Sequence, residues 1–227
     1  MTAQGLIVFD VDSTFIEDEV IELLADATGR RDEVAAVTER AMRGEIDFSQ
    51  SLRERVAVLA DLPVSVIDDA AAAVTLTRGA AEVVAAAHDA GWIVALVSGG
   101  FTAVIEKVTA GMGIDEIRAN DLETRPSPTT RTGTGPAGTV LSGRVDGEIV
   151  DRAAKAEHLR VIARSHGVDL AQTIAVGDGA NDIDLLQAAA VGVAFCAKPA
   201  LVPHADVVVD ERDLMVVWKQ AQRALTP

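Results

Sequence analysis

The sequence of 227 residues is short of cysteine and of long apolar runs. Because Cys196 is its only cysteine, no internal disulfide can form, and we expect this residue to be a buried structural thiol rather than a nucleophile. A membrane-spanning helix needs about 18 uninterrupted apolar residues. The longest candidate, residues 83–97, is broken by His88 and Asp89. No signal-peptide pattern is visible, so the sequence predicts a cytoplasmic protein.

Positive charge is scarce as well. The chain has 20 lysines and arginines against 35 aspartates and glutamates, which gives a formal net charge of -15. Nucleic acids and anionic membrane surfaces are bound by basic patches, so the sequence argues against both as partners. A small anionic substrate is still acceptable if local positive groups or a metal ion gather it. The four histidines are scattered and show no metal-binding spacing.

Hydrophobic residues, in contrast, make up 49% of the chain. This content is enough for the packed core of one large domain or of a domain with a smaller insertion. Short apolar runs alternate with segments of helical periodicity, and this alternation predicts an α/β fold with a parallel sheet and helices on both faces. The predicted strands are residues 6–9, 92–97, 173–176, 191–195 and 206–209.

Residues 15–76 differ from this alternation, since they contain no convincing strand. Helical periodicity occurs instead in the segments 16–24, 31–43, 49–60 and 63–74. Pro63 is expected in the first turn of the last of these helices. We therefore predict a small all-helical cap domain at residues 15–76, inserted into a core domain made of residues 1–14 and 77–227.

Residues 125–143 also interrupt the alternation, because they are dense in proline, glycine, serine and threonine. This composition favours a mobile hairpin or loop over a regular element, and disorder is the default interpretation.

Two carboxylates, Asp10 and Asp12, follow the first predicted strand directly. Reactive groups at the carboxyl end of a parallel strand face the crevice in which open α/β sheets bind ligands. Like charges this close repel each other, so a metal ion, a proton or hydrogen bonds must compensate them. Either residue taken alone is better explained as a helix cap or turn former.

Three further polar segments lie at strand ends or helix starts, and such ends converge on one crevice in a parallel sheet. The turn Ser98-Gly99-Gly100 can hold an anion such as phosphate at a helix N-terminus. The loop at residues 177–182 adds Asp178 and Asp182, and carboxylate oxygens without thiolates or imidazoles favour Mg²⁺. Lys155 would supply positive charge for a phosphate, although a lysine on a helix is more often a solvated surface residue.

Together, the segments Asp10-Val-Asp-Ser-Thr, Ser98-Gly-Gly-Phe, Lys155 and Gly177-Asp-Gly-Ala-Asn-Asp182 resemble the four motifs of the haloacid dehalogenase superfamily, and of its phosphoserine phosphatase branch in particular. The resemblance covers nearly the whole chain. It implies a Rossmann-like core with an inserted helical cap and a Mg²⁺-dependent hydrolysis of O-phospho-L-serine to L-serine and phosphate, the last step of serine biosynthesis.

The resemblance also implies a role for each motif residue. Asp10 would be the nucleophile that forms an aspartyl-phosphate, and Asp12 the general acid and base. The Asp10 carboxylate, the Asp12 carbonyl and Asp178 would hold Mg²⁺. Asp182 would stabilise the metal site and Lys155 without being a direct metal ligand. The phosphate would be held by Ser98, the Gly99 amide, Lys155 and Asn181.

In the predicted cap, the resemblance places substrate selection on four residues. Glu19 would face the amino group and Arg55 would grip the carboxylate, while Met42 and Phe48 would close the pocket against water. Arg53 is a nearby alternative to Arg55, and the register with Phe48 favours Arg55. Without the resemblance, Glu19 and Arg55 would be interpreted as parts of an ordinary charged helix face.

Two alternatives compete with phosphoserine hydrolysis, one enzymatic and one non-catalytic. The enzymatic alternative is a related phosphatase that acts on another small phosphorylated metabolite, or a phosphotransferase that moves the phosphoryl group to a hydroxyl such as that of homoserine. A non-catalytic binding module should lack Asp10 or Asp12, and both are present. The sequence gives no oligomeric state.

Overall fold

The protein forms a seven-stranded sheet flanked by helices in a computed structural model that describes residues 3–26, 29–42, 45–127 and 138–225. The strand order is β4-β3-β2-β1-β5-β6-β7, and every neighbouring pair is parallel except β3 and β4. The strands are β1 (Gly5–Phe9), β2 (Trp92–Phe101), β3 (Glu116–Pro126), β4 (Thr139–Asp146), β5 (Thr173–Gly177), β6 (Val191–Phe195) and β7 (Val207–Val209). The predicted α/β class is confirmed.

The central strand β1 is buried on both faces, and its residues alternate between two apolar clusters. Leu6 and Val8 pack into a cluster with the helices at Arg152–Ser165 and Ile183–Ala188, whereas Ile7 and Phe9 face a cluster with the helices at Ala80–Asp89, Thr102–Val108 and Leu214–Leu225. This alternation follows from the two-residue period of a strand. The helices are α1 (Val20–Asp26), α2 (Arg31–Met42), α3 (Phe48–Val58), α4 (Val66–Ala73), α5 (Ala80–Asp89), α6 (Thr102–Val108), α7 (Arg152–Ser165), α8 (Ile183–Ala188) and α9 (Leu214–Leu225). Among the described residues, none of these helices is long and apolar enough to cross a membrane.

The first four helices lie between β1 and β2, where the sequence predicts a helical insertion. Within the described part of residues 16–76, β pairing is limited to isolated bridges, Ile16 with Leu76 and Pro63 with Val140. The predicted place of Pro63 in a first helical turn is wrong, because α4 begins at Val66. The boundaries of a separate cap domain at residues 15–76 stay a prediction.

Residues 125–143, predicted as a mobile hairpin or loop, need a correction at both ends, because regular strands extend into this segment. Strand β3 continues to Pro126 and β4 starts at Thr139, and the two pair in an antiparallel hairpin. Residues 128–137 lie outside the described part of the chain. The hairpin is anchored to the segment between α3 and α4, because Leu141 accepts a hydrogen bond from the Asp61 amide (3.0 Å) and donates one to the Leu62 carbonyl (2.8 Å).

Leu141 tests whether this hairpin belongs to the core. Its side chain is 1% exposed in the larger apolar cluster. We expect Leu141→Ala to lower the free energy of unfolding by about 2–5 kcal/mol, because it removes buried methyl groups and leaves a cavity. Urea unfolding measures the change. Thr139→Ala, at an exposed position of the same strand, is the control and should change stability by less than about 0.5 kcal/mol. Equal midpoints for the two variants would contradict a packed hairpin.

Candidate active site

Asp10 lies at the carboxyl end of β1, where the chain leaves the sheet in a wide turn over residues 11–15. The carboxylate is buried, and its Oδ1 accepts a hydrogen bond from the Val11 amide at 2.8 Å. The Asp12 carboxylate accepts a bond from the amide of Val20, the first residue of α1, at 3.2 Å. Asp12 therefore caps a helix and also faces the crevice, so the two interpretations of this residue do not exclude each other.

Lys155 is the cation at the centre of the site. Its Nζ lies 2.7 Å from Asp10 Oδ1 and 2.7 Å from Asp182 Oδ1, and the side chain is 1% exposed. Lys155 lies in the first turn of α7. Asp151 caps the start of this helix by accepting a hydrogen bond from the Ala154 amide. Burial alone would lower the pKa of Lys155, but Asp10 and Asp182 outweigh burial and raise it. Lys155 is therefore a fixed charge inside the site and not a solvated surface residue.

Asp182 shapes the loop that follows β5. Its Oδ2 accepts hydrogen bonds from the amides of Asp178 and Gly179, both at 3.1 Å. A side chain at Gly177 would place its Cβ 2.5 Å from this carboxylate, so only glycine fits there. The loop therefore brings Asp178 close to the end of β1.

Carboxylate oxygens of Asp10, Asp178 and Asp182 lie within 4.8 Å of one another. Burial raises the pKa of Asp10 well above its usual range, and Asp182 adds to the rise while Lys155 opposes it. Burial also raises the pKa of Asp178. The buried Lys155 pairs with only two of these three buried carboxylates, Asp10 and Asp182. The oxygen-only chemistry of the cluster fits a hard divalent cation. The site is therefore a candidate metal centre.

The pKa of Asp12 is raised to about 7, first by burial and then by the charge of Glu19. Glu19 is held by the Ser13 hydroxyl, which donates to its Oε1 at 2.9 Å. Burial raises the pKa of Glu19, and burial lowers that of Arg55 while Glu19 and Asp12 oppose this effect. Asp12, Glu19 and Arg55 therefore form a set of interacting charges at the cavity wall.

The segment Ser98-Gly99-Gly100 differs from the predicted turn. Strand β2 continues through Phe101, and α6 starts only at Thr102. Ser98 is fully buried, and its Oγ accepts a bond from the Gly100 amide at 2.8 Å. The buried Asn120, which the sequence analysis missed, fixes this strand end by donating to the Gly99 carbonyl at 2.8 Å. Its signal was only a single polar residue in a segment not predicted as a strand.

A cavity of about 410 Å³ joins the strand ends to the helices between β1 and β2. Eight residues of the predicted site line this cavity, namely Asp10, Asp12, Glu19, Phe48, Arg55, Gly99, Asp178 and Asn181. Ser98, Lys155 and Asp182 are almost completely buried.

Three further predictions concern Met42, the choice between Arg55 and Arg53, and Cys196. Met42 ends α2, and its side chain lies outside what the structure describes. Arg55 lines the cavity, whereas Arg53 is exposed on the same helix. Cys196, expected to be buried, is only partly so, and it follows β6 with a positive φ of 44°.

Lys198 is the main residue that the sequence analysis missed. It follows β6, lines the cavity and places its Nζ 3.1 Å from Asp178 Oδ2. Its backbone amide also donates to the Asp178 carbonyl at 2.8 Å. The rule that polar residues after parallel strands converge on one crevice could have identified it, since it lies three residues beyond the end of β6.

Comparison with known proteins agrees with this architecture. The family model of the haloacid dehalogenase-like hydrolases matches residues 7–187, and the chain belongs to this family. Its relatives include the phosphoserine phosphatase of Lactococcus lactis subsp. lactis, which is 42% identical over 96% of this chain and 95% of its own length. The phosphoserine phosphatase of Streptomyces coelicolor is 52% identical over 88% of this chain, which spans 46% of that longer protein.

Solved structures extend the comparison to the fold. A substrate-bound phosphoserine phosphatase complex superimposes with a TM-score of 0.83 and 39% identity, covering 97% of this chain and 99% of the other. A phosphoserine phosphatase with an analogue of the phospho-aspartyl intermediate gives a TM-score of 0.82, also at 39% identity, covering 96% of this chain and 99% of the other. The predicted resemblance to the phosphoserine phosphatase branch is confirmed.

The buried ion triad of Lys155 with Asp10 and Asp182 predicts a large stability effect. We expect Lys155→Met to lower the free energy of unfolding by about 3–5 kcal/mol, because two buried carboxylates lose their cation. Lys198→Met is the matched control, and since the Lys198 side chain is 61% exposed it should cost less than about 1 kcal/mol. Urea unfolding in the presence of EDTA compares the two. A loss for Lys155→Met below about 1 kcal/mol, as expected for the control, would show that the triad contributes little to stability.

Proposed function

We propose that the protein hydrolyses O-phospho-L-serine to L-serine and phosphate through an aspartyl-phosphate intermediate. The observation that carries this proposal is a single cavity with Asp10 and Asp12 at its sheet end and Glu19 and Arg55 on its helical side. The similarity to phosphoserine phosphatases over nearly the whole chain supports the same function.

Asp10 is the proposed nucleophile. Its carboxylate is held by the Val11 amide and by Lys155, and these contacts keep one rotamer aimed into the crevice. Attack on phosphorus forms the aspartyl-phosphate and releases serine, so that one difficult displacement becomes two easier ones. Burial raises the pKa of Asp10, and Lys155 favours the ionised form of this carboxyl because its positive charge offsets part of that rise.

Asp12 is the proposed general acid and base. A pKa of about 7 leaves a large share of this carboxyl protonated at neutral pH, which suits an acid that donates a proton to the leaving serine oxygen. The resulting carboxylate then takes a proton from the water that cleaves the aspartyl-phosphate. The bond from the Val20 amide fixes Asp12 Oδ1 and leaves its Oδ2 for the proton.

The phosphate oxygens are proposed to lie between the end of β2 and the loop after β5. Ser98, the Gly99 amide and Asn181 would donate to them, and Lys155 would balance their charge. Asp182 would hold Lys155 in position through the 2.7 Å hydrogen bond that its Oδ1 accepts from the Lys155 Nζ. These groups are fixed before the substrate arrives, so little reorganisation accompanies the reaction.

The proposed metal is Mg²⁺, since the candidate ligands are all oxygens. The carboxylates of Asp10 and Asp178 and the carbonyl of Asp12 would hold it. When bound, it supplies positive charge that screens the repulsion between an anionic nucleophile and an anionic phosphate.

Substrate selection is proposed to rest on the helical side of the cavity. Glu19 would bind the ammonium of the substrate and Arg55 its carboxylate, where a guanidinium can donate two parallel bonds. Phe48 lies against Gly99, since a Cβ at that glycine would be 3.0 Å from its ring. Phe48, with Met42, would exclude water from the reacting phosphate.

Removal of the nucleophile tests the mechanism. We expect Asp10→Asn to lower kcat on L-phosphoserine by at least about 1,000-fold, because the amide cannot form the phosphoenzyme. Phosphate release with saturating Mg²⁺ is the measurement, and Asp121→Asn, at an exposed position on β3, is the control. EDTA should abolish the activity of the unmodified protein and added Mg²⁺ should restore it. Retention of more than trace activity by Asp10→Asn would refute the mechanism.

Arg55 and Arg53 form a matched pair for the substrate. We expect Arg55→Ala to reduce kcat/KM for L-phosphoserine by about 10- to 100-fold, because a charge-assisted contact to the carboxylate is lost. Activity on p-nitrophenyl phosphate, which has no carboxylate or amino group, should change little. Arg53→Ala should leave both activities near their original values. A parallel loss on both substrates would argue against a role for Arg55 in recognising the amino-acid head.

A further inference from the structure

Lys198 is a cation of the site to which the proposed mechanism gives no role. Its side chain pairs with Asp178 at 3.1 Å, and its backbone amide bonds to the carbonyl of the same residue at 2.8 Å. The two partners differ in burial, because the Lys198 side chain is 61% exposed and that of Asp178 only 8%. An exposed cation therefore contacts a buried carboxylate from the solvent side.

The conformation of the Asp178 loop does not depend on this ammonium group. The buried Asp182 holds the loop by accepting bonds from the amides of Asp178 and Gly179. The backbone bond from residue 198 is independent of its side chain. What the Lys198 side chain adds to the site is therefore mainly charge.

That charge compensates the carboxylate that the buried lysine does not contact. Lys155 pairs with Asp10 and Asp182 but forms no ion pair with Asp178 among the described contacts. Burial raises the pKa of Asp178, and Lys198 opposes that effect more strongly than Lys155 does. Lys198 thus acts as the counter-ion of one particular member of the carboxylate cluster.

We propose that Lys198 is an internal counter-ion that competes with a divalent cation for Asp178, and that it thereby limits the metal affinity of the site. The inference rests on the proposed function, because it takes Asp178 to be a metal ligand. Two cations beside one buried carboxylate repel each other. A long, exposed side chain can move into solvent at low cost, so we expect Lys198 to leave Asp178 when the metal ion binds.

Metal binding, measured without substrate, tests this competition. Isothermal titration calorimetry of the EDTA-treated, dialysed protein with Mg²⁺ gives the dissociation constant directly. We expect Lys198→Gln to bind Mg²⁺ about two- to fivefold more tightly than the unmodified protein, because exposed ion pairs have modest effects. Lys198→Arg keeps the positive charge and should behave like the unmodified protein.

Lys219→Gln is the charge-matched control, since it removes one positive charge from an exposed position on α9 that does not line the cavity. It should leave the dissociation constant unchanged. Equal affinities for Lys198→Gln and Lys219→Gln would overturn the competition. Weaker binding by Lys198→Gln would also overturn it, because Lys198 would then be orienting Asp178 as a ligand. An unmodified protein that binds no Mg²⁺ would overturn the metal site of the proposed function and this inference with it.

Discussion

Lys155, buried between Asp10 and Asp182, is the interaction on which the rest of the site depends. Taking three charges out of water is costly unless they neutralise one another at close range. The two 2.7 Å contacts of its ammonium group join the end of β1 to the loop after β5. Asp182 in turn fixes the amides of that loop. One buried lysine thus brings together segments more than 140 residues apart in the sequence.

The triad also explains why the site needs further positive charge. Lys155 leaves a cluster of buried carboxylates still negative. Burial is the main cause of the raised pKa values of Asp10, Asp12 and Asp178, and neighbouring carboxylates add to the rise. A buried cluster of carboxylate oxygens is chemically suited to a hard divalent cation. A pKa of about 7 lies in the range in which a carboxyl can both donate and accept a proton. The proposed metal binding and the proposed acid–base chemistry therefore depend on the same buried set of charges.

Local patterns predicted the elements whose burial is uniform along the chain. Strand β6 was predicted with its observed limits, since a short apolar run buried on both faces has a clear signal. The regular strands β3 and β4 were not predicted, because their stabilisation comes from Leu141 and from backbone bonds to the segment between α3 and α4. Pro63 was misplaced for the same reason, since its bridge to Val140 is a contact across the fold.

Local periodicity and composition were enough to predict the alternation of strands and helices, the helical insertion after β1 and the motif residues at the strand ends. Which charges meet became visible in the folded protein alone. The fold buries Lys155 between Asp10 and Asp182 and brings Lys198 to Asp178. Ion pairs and cavity walls join distant segments, and their strength depends on distance and burial, which a linear pattern does not contain.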